Sequence, residues 1–353
     1  MQKINSKIQP IKLENDELSL LDQRGLPLSK KYIKAKSYTE VIQAIKNMSV
    51  RGAPLIGIVA AYGIFLASLE YKKLEGKKLI NKLKAIGEEI KNARPTAINL
   101  RWAVDLMLHE VASLDDTLEI ITALKKRAIW IHEDDAQRCA NIGRYGSKII
   151  SKGAGILTIC NTGALATGGI GTAFGIILTA HKYDPSIKVF ASETRPRQQG
   201  AKLTTFECIE NGINCTLISD TACGYLMKKG FIAVVIAGAD RIASNGDTAN
   251  KIGTYQLAVL AKENNIPFYI AAPLSTFDLS IETGDKIPIE HRDEKEVTLI
   301  NEGLICHPST QAFNPAFDIT PREYIKGIIT EKGIVKGDYK KEIKELFNTS
   351  AIA

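Results

Sequence analysis

Paired cysteines are missing from this sequence. Its six, Cys139, Cys160, Cys208, Cys215, Cys223 and Cys306, contain no CxxC spacing, which argues against a structural zinc site or a dithiol redox centre and favours reduced thiols in a cytoplasmic protein. The histidines, His109, His132, His181, His291 and His307, offer neither HxxxH nor HExxH, so no metal is expected. A dinucleotide fingerprint is lacking too. The run Gly168-Gly169-Ile170-Gly171 has the wrong spacing for G-x-G-x-x-G directly behind a strand, which disfavours a nicotinamide enzyme. The stretch Met1 to Leu13 has neither the apolar centre of a signal peptide nor a transit-peptide pattern. The longest apolar stretches are glycine-rich and read as far short of a membrane span, so no membrane partner is expected. Internal repeats and low-complexity tracts are absent.

Of the 353 residues, 45% are hydrophobic and 24% charged, which suffices for a large core and fits two domains better than one. Lysines and arginines outnumber acids by 46 to 39, a net +7. They are scattered, as in Lys72 to Lys84, and read as solvated helix faces in place of a dense arm. A mild positive field suits a phosphorylated metabolite, although the charge total alone does not separate that from nucleic-acid affinity.

Residues 36 to 145 read mostly as helices, with stripes over Val41 to Met48, Ile56 to Leu69, Leu100 to Val111 and Leu118 to Ile142. Before them, Ile11 to Leu21 suits strands or an irregular cap. After Ser151 strand-length apolar runs recur at Gly155 to Cys160, Lys188 to Ser192, Asn214 to Ser219, Ala233 to Ala239 and Pro267 to Ala271. Helical spacings such as Gln199 to Asn211 and Tyr255 to Lys262 separate them. Successive βαβ units with a parallel sheet covered on both faces follow, and the end, from Gly333, reads as a helix and a loose tail. The expected division is 1–145, mainly helical, and 146–353, α/β. Ligands in such sheets bind beyond the carboxyl ends of strands, which directs attention to Cys160, Glu193, Asp220 and Asp240.

Val50-Arg51-Gly52-Ala53-Pro54 leads into an apolar helix: the helix-start amides and Arg51 suit a phosphate, and a tight structural turn is the competing reading. Asn92-Ala93-Arg94-Pro95-Thr96 repeats the logic with Arg94 before a helix near Ala97, Pro95 being suited to its first position, so two arginines would bracket one phosphate. Cys160, opening Cys160-Asn161-Thr162-Gly163, is either a stabilised thiolate or a small buried hydrophobe. In Glu193-Thr194-Arg195-Pro196-Arg197-Gln198-Gln199, Gln199 is best placed to donate to an anion, and the charges would otherwise lock domains by ion pairs. Asp240 follows an apolar strand; burial would raise its pKa towards that of a working acid, whereas pairing with Arg241 or Lys251 would lower it. Asn250 and Lys251 suit sugar hydroxyls or phosphate, and Gly253 the turn after them.

Taken together these segments, from Leu20-Leu21-Asp22-Gln23-Arg24 to Asn314-Pro315-Ala316-Phe317-Asp318-Ile319-Thr320-Pro321, closely resemble the methylthioribose-1-phosphate isomerases. Those form a branch of a larger family with ribose-1,5-bisphosphate isomerases and the regulatory alpha, beta and delta subunits of translation initiation factor 2B. The resemblance implies Cys160 and Asp240 as the catalytic pair, Arg51, Gly52, Ala53, Arg94, Gln199, Asn250 and Lys251 as substrate-binding, and no cofactor. It also implies a Rossmann-like carboxyl-terminal domain with a smaller, mainly helical amino-terminal one, usually a homodimer, acting on a sugar phosphate in methionine salvage. One departure stands out: after Arg24 the chain reads Gly25-Leu26-Pro27 where the family usually carries a bulky apolar residue, a change nearer to substrate choice than to the reaction.

For such a substrate, phosphate on the anomeric oxygen blocks spontaneous ring opening. Asp240 as acid to the ring oxygen is the expected remedy, followed by Cys160 moving a proton from C2 to C1 or, alternatively, by direct hydride migration. Deuterium at C2, washed out or retained in the product, separates the two. The rivals are an isomerase of 5-deoxyribose 1-phosphate or ribose 1,5-bisphosphate, and a non-catalytic regulatory subunit. Neither nucleic acid nor membrane is an expected partner.

Overall fold

The computed structural model describes residues 4–94, 97–301 and 303–350. It divides into two compact units, the first containing residues up to Ala140 together with Gly163–Gly171, the second Asn141–Thr162 with the chain from Thr172 onward.

In the first unit β1 (Ile11–Glu14), β2 (Glu17–Leu21) and β3 (Tyr32–Ala35) form an antiparallel sheet. Leu18 and Leu20 are fully buried on one face while Ser19 between them is not, the period-two pattern of a half-covered sheet. Five helices follow: α1 (Tyr38–Lys46), α2 (Ala53–Glu70), α3 (Gly76–Lys91), α4 (Ile98–Glu110) and α5 (Thr117–Gly146). A reciprocal Ser37–Glu40 capping box starts α1. Along α3 Lys77, Lys78 and Lys84 face solvent while Lys91 at its end is buried, and Leu79, Leu83, Ile86 and Ile90 recur at helical spacing and enter the core.

Helix α2 corrects one expectation. Its 18 residues are long and apolar enough to cross a membrane, not far short of it, yet 78% of that window is buried inside the protein. The burial answers to helices on several sides: a methyl built on Gly63 would lie 2.9 Å from Val41 of α1, and one on Gly57 would lie 2.8 Å from the Asn99 carbonyl of α4. A helix enclosed in this way needs an apolar surface all round.

The second unit continues with β4 (Gly155–Thr158), α6 (Ala173–Tyr183), β5 (Lys188–Ser192), α7 (Thr205–Asn211), β6 (Cys215–Ile218), α8 (Cys223–Lys228) and β7 (Val234–Ala237). Then come β8 (Arg241–Ala243), β9 (Thr248–Lys251), α9 (Thr254–Glu263), β10 (Phe268–Ala271), β11 (Phe277–Asp278), α10 (Lys295–Thr298), β12 (Leu299–Ile300) and β13 (Gly303–Leu304). The last elements are β14 (Phe317–Thr320), β15 (Gly327–Thr330), β16 (Gly333–Val335) and α11 (Tyr339–Ser350).

Seven strands form the main sheet in the order β16-β15-β10-β7-β4-β5-β6, all parallel except the edge strand β16. Strands β4, β7, β10 and β15 are buried at every position, as unbroken apolar runs covered on both faces must be. The protein is thus a mixed α/β fold with a parallel sheet. The chain order runs one way from β4 through β5 to β6 and the other way from β7 through β10 to β15, so the reversal lies between β4 and β7. The residues from Gly333, expected as helix, begin with β16, because Gly333–Val335 pairs back on β15. The loose tail expected at the end falls on 351–353, outside the described residues.

Candidate active site

Within the first unit the start of α2 carries Arg51, Gly52 and Ala53, three of the residues expected to bind substrate. The turn from α1 is fixed by Asn47 Oδ1, which accepts from Ser49 N at 3.0 Å and Ser49 Oγ at 2.7 Å. Gly52, at φ 97°, is the N-cap, and no side chain caps the helix there, which leaves its first amides to an external acceptor at the positive end of the helix dipole. Glycine is required for a second reason: a methyl at position 52 would sit 2.6 Å from Cα of Ala166. Arg94 donates to Met48 Sδ at 3.0 Å, so it lies beside the same turn that carries Arg51. Ala53 is the first residue of α2. Helix α4 starts at Ile98 with Ala97 as N-cap; the helix-start role expected of Pro95 falls outside the described residues. Gln23 was not singled out from sequence. Its Nε2 donates to the Leu165 carbonyl at 2.7 Å and its main-chain N–H to Ser49 O at 2.9 Å, tying this turn to Gly163–Gly171.

Within the second unit, Cys160 and Asp240 do not terminate strands as expected. Ladder pairing stops at Thr158 and Ala237, and both residues stand in the loops that follow. The cause at Cys160 is a backbone turned to φ 62°. Its N–H donates to Thr194 Oγ1 at 2.9 Å and its carbonyl accepts from Thr204 Oγ1 at 2.6 Å. The amide at the start of α6 is already engaged, Phe174 N donating to Thr162 Oγ1 at 3.1 Å. Since β4 and β7 are paired neighbours, with Leu157 opposite Val235, Cys160 and Asp240 leave adjacent strands at the same sheet edge, beside the reversal of strand order where ligands of such sheets bind. The two loops touch: a methyl on Gly238 would lie 2.7 Å from Thr162 Cγ2, and one on Gly253 3.1 Å from Ile159 Cδ1.

Asn250 and Lys251 are on a strand, β9, and are buried. That strand belongs to a second sheet of order β11-β8-β9-β14, which was not read from sequence. Asn250 Nδ2 donates to Thr254 Oγ1 at 2.9 Å; Lys251 Nζ donates to the Ala316 carbonyl at 2.7 Å and lies 4.6 Å from the centre of the Phe317 ring. Asp318 holds the turn after them, accepting from Gly253 N at 2.7 Å and Tyr255 N at 3.2 Å. Burial pushes its carboxyl up to about 6 in spite of those bonds. Gln199, buried, heads a single π-helical turn, Gly200–Thr204, and its Oε1 has no hydrogen-bond partner among the described residues.

Of the cations weighed as partners for Asp240, Arg241 faces Asp278 at 3.7 Å, and Lys251 donates to the Ala316 carbonyl. Arg292 is a cation whose field Asp240 does meet. Burial disfavours the Arg292 charge, and Glu290, then Glu296 and Asp240, outweigh that and hold it. Nothing in the local pattern around Arg292 signals this, because Asp240 lies far away in sequence. Arg197 pairs with Glu296, an ion pair internal to this unit. Among the described residues no group of three or more His, Cys, Asp or Glu is gathered as for a metal.

Residues 49–337 match the model of the Initiation factor 2 subunit family. The methylthioribose-1-phosphate isomerase of Carboxydothermus hydrogenoformans is 49% identical over 95% of this chain and 97% of its own. A crystal structure of 5-methylthioribose 1-phosphate isomerase from Pyrococcus horikoshii OT3 superposes with a TM-score of 0.93 at 40% identity, covering 98% of this chain and 97% of that one. A structure titled translation initiation factor eIF-2B, subunit delta, from A. fulgidus gives 0.88 at 37% identity, covering 96% of this chain and 100% of that one. With nearly its whole length aligned at such identity, the chain belongs to the methylthioribose-1-phosphate isomerases of the initiation factor 2 subunit family.

Proposed function

We propose that this protein is an aldose–ketose isomerase that converts 5-methylthioribose 1-phosphate to 5-methylthioribulose 1-phosphate in methionine salvage. The observation that carries its chemistry is the pairing of β4 with β7, which brings a thiol, Cys160, and a carboxyl, Asp240, out of neighbouring strands where the order reverses. In the reaction Asp240 gives a proton to the ring oxygen, and the ring opens with the phosphate held. Cys160 then serves the transfer between C2 and C1. One carbon is oxidised and its neighbour reduced, so the sum needs no external redox partner.

Arg51, Gly52, Ala53 and Arg94 bind the phosphate in this reading, supported by the uncapped α2 start and the nearness of Arg94 to its turn. Gln199, with its unpartnered buried amide oxygen, meets a sugar hydroxyl. Asn250 and Lys251 complete the binding set. We read the doubly wound strand order as Rossmann-like, the protein as a homodimer, and its six free cysteines as those of a reducing compartment.

The test is turnover of 5-methylthioribose 1-phosphate, 5-deoxyribose 1-phosphate and ribose 1,5-bisphosphate by the isolated protein under one set of conditions. The first is expected to be preferred, and Cys160→Ala and Asp240→Asn to lose at least about a hundredfold in kcat while remaining folded. Wild-type rates in both variants would remove the proposed pair. No turnover of any sugar by wild type would favour a regulatory role, the reading that the likeness to a delta subunit keeps open.

A further inference from the structure

Cys160 is not a residue that settles by itself into the conformation it has. A side chain at φ 62° is strained, and so are Thr194 at φ 67° and Gln198 at φ 59°; non-glycine residues persist in such backbone only where their surroundings over-determine them. All three belong to one buried hydrogen-bond network. Thr194, 1% exposed, accepts the Cys160 N–H at Oγ1 at 2.9 Å and donates from its own hydroxyl to the Ser192 carbonyl at 2.9 Å. Asp220 grips the segment from the other side: it accepts from Thr194 N at 2.8 Å, from Arg195 N at 2.7 Å and from the hydroxyl of Ser192. Gly200 closes the same turn so tightly that a methyl there would meet the Ser192 carbonyl oxygen at 1.7 Å and Thr194 Oγ1 at 3.0 Å. Behind Cys160, Thr204 Oγ1 donates to its carbonyl, and Asn161 Nδ2 donates at 2.9 Å to Glu207, which is fully buried.

We infer that Thr194, locked by Asp220, is a positioning residue for Cys160: its hydroxyl holds the thiol-bearing residue in the strained backbone from which the reaction proceeds. Thr194 bonds Cys160 through its hydroxyl, which is used twice, as acceptor and as donor. Valine has the same shape without either function. Thr194→Val leaves the Cys160 N–H and the Ser192 carbonyl unpaired in a dry place and frees Cys160 to relax towards ordinary backbone. The inference rests on Cys160 being the catalytic thiol, and the experiment keeps the two claims apart.

For Thr194→Val, kcat is expected to fall at least about tenfold, the equivalent of one lost net hydrogen bond, with KM within about twofold because the phosphate cradle is on other elements. Thr194→Ser, which keeps the hydroxyl, is expected to restore kcat. The second readout is the rate at which iodoacetamide alkylates Cys160, followed by mass spectrometry of its peptide with the half-exposed Cys306 as internal reference. That rate is expected to change in the valine variant and not in the serine one. Should the valine variant fail to fold, Asp220→Asn is read in the same way, with the same losses expected. A foldable variant of either kind with wild-type kcat and a wild-type Cys160 alkylation rate overturns the inference, provided Cys160→Ala is inactive in parallel. Full activity in Cys160→Ala would instead overturn the underlying assignment of the thiol, and the inference with it.

Discussion

At the scale of single residues, the strictest demand in the first unit falls on Gly52. Its φ of 97° lies where an L side chain is strained, and the approach of Ala166 leaves no room for a methyl. Strain of this kind costs on the order of 1–3 kcal/mol before any clash is counted. The clash adds a displacement of the α2 start, whose amides are proposed to hold the phosphate. Gly52→Ala is therefore expected to raise KM about tenfold or more while kcat changes less, since ground-state and transition-state binding of a non-reacting phosphate weaken together. Steady-state kinetics and a urea titration of the same preparation check this. A KM within twofold of wild type would mean that the cradle is not where the substrate is held.

At the scale of elements, helix α5 grips the Gly163–Gly171 segment that follows β4. Asp135 of α5 accepts from Gly168 N at 2.6 Å, and the Cys139 thiol points to it at 3.8 Å. Burial pushes its carboxyl up to about 6, against the Gly168 bond and the nearby Arg138, with Asp134 adding to the rise. The native state thus keeps a proton that the unfolded chain releases near 3.8. Between those values the native state binds more protons, so stability falls as pH rises from about 4 to about 6 and levels off above. Asparagine does not titrate. The stability of wild type relative to Asp135→Asn is expected to drop between pH 4 and pH 7 by at most about 3 kcal/mol, measured by urea unfolding at both pH values. Asp318, raised in the same direction, is present in both proteins and cancels. A pH-independent difference would show that Asp135 stays ionised.

What was legible at this scale follows from which interactions are local. The parallel strands were readable because a strand covered on both faces is an unbroken apolar run, as in Val234–Ala237. The apolar stripe from Val41 showed helix α1, but not its start at Tyr38, which the Ser37–Glu40 capping box sets. The sheet β11-β8-β9-β14 was not readable, because its strands are short and pair across long separations: Lys251 opposes Phe317. That is why the strand carrying Asn250 and Lys251 was not among the runs read from sequence. The turn of Cys160 away from the strand was equally hidden, since Thr194 and Thr204 impose it from elsewhere in the chain.

At the scale of the whole molecule, a net charge of +7 is carried by scattered residues, and a sugar 1-phosphate is an anion. A diffuse field of this sign raises the local concentration of the substrate, and salt removes it: the Debye length shrinks from about 30 Å at 0.01 M to about 8 Å at 0.15 M. Specific contacts in the cradle are screened much less than the field outside it, so the two contributions separate experimentally. Raising ionic strength across that range is expected to lower kcat/KM severalfold and to leave kcat almost unchanged. The fractional loss should persist in Arg94→Ala if it belongs to the overall charge, and should shrink markedly there if one arginine at the cradle accounts for it. Initial-rate measurements with sodium chloride and with a second monovalent salt decide between these, and a kcat/KM indifferent to both salts would show that the basic surface has no part in capturing substrate.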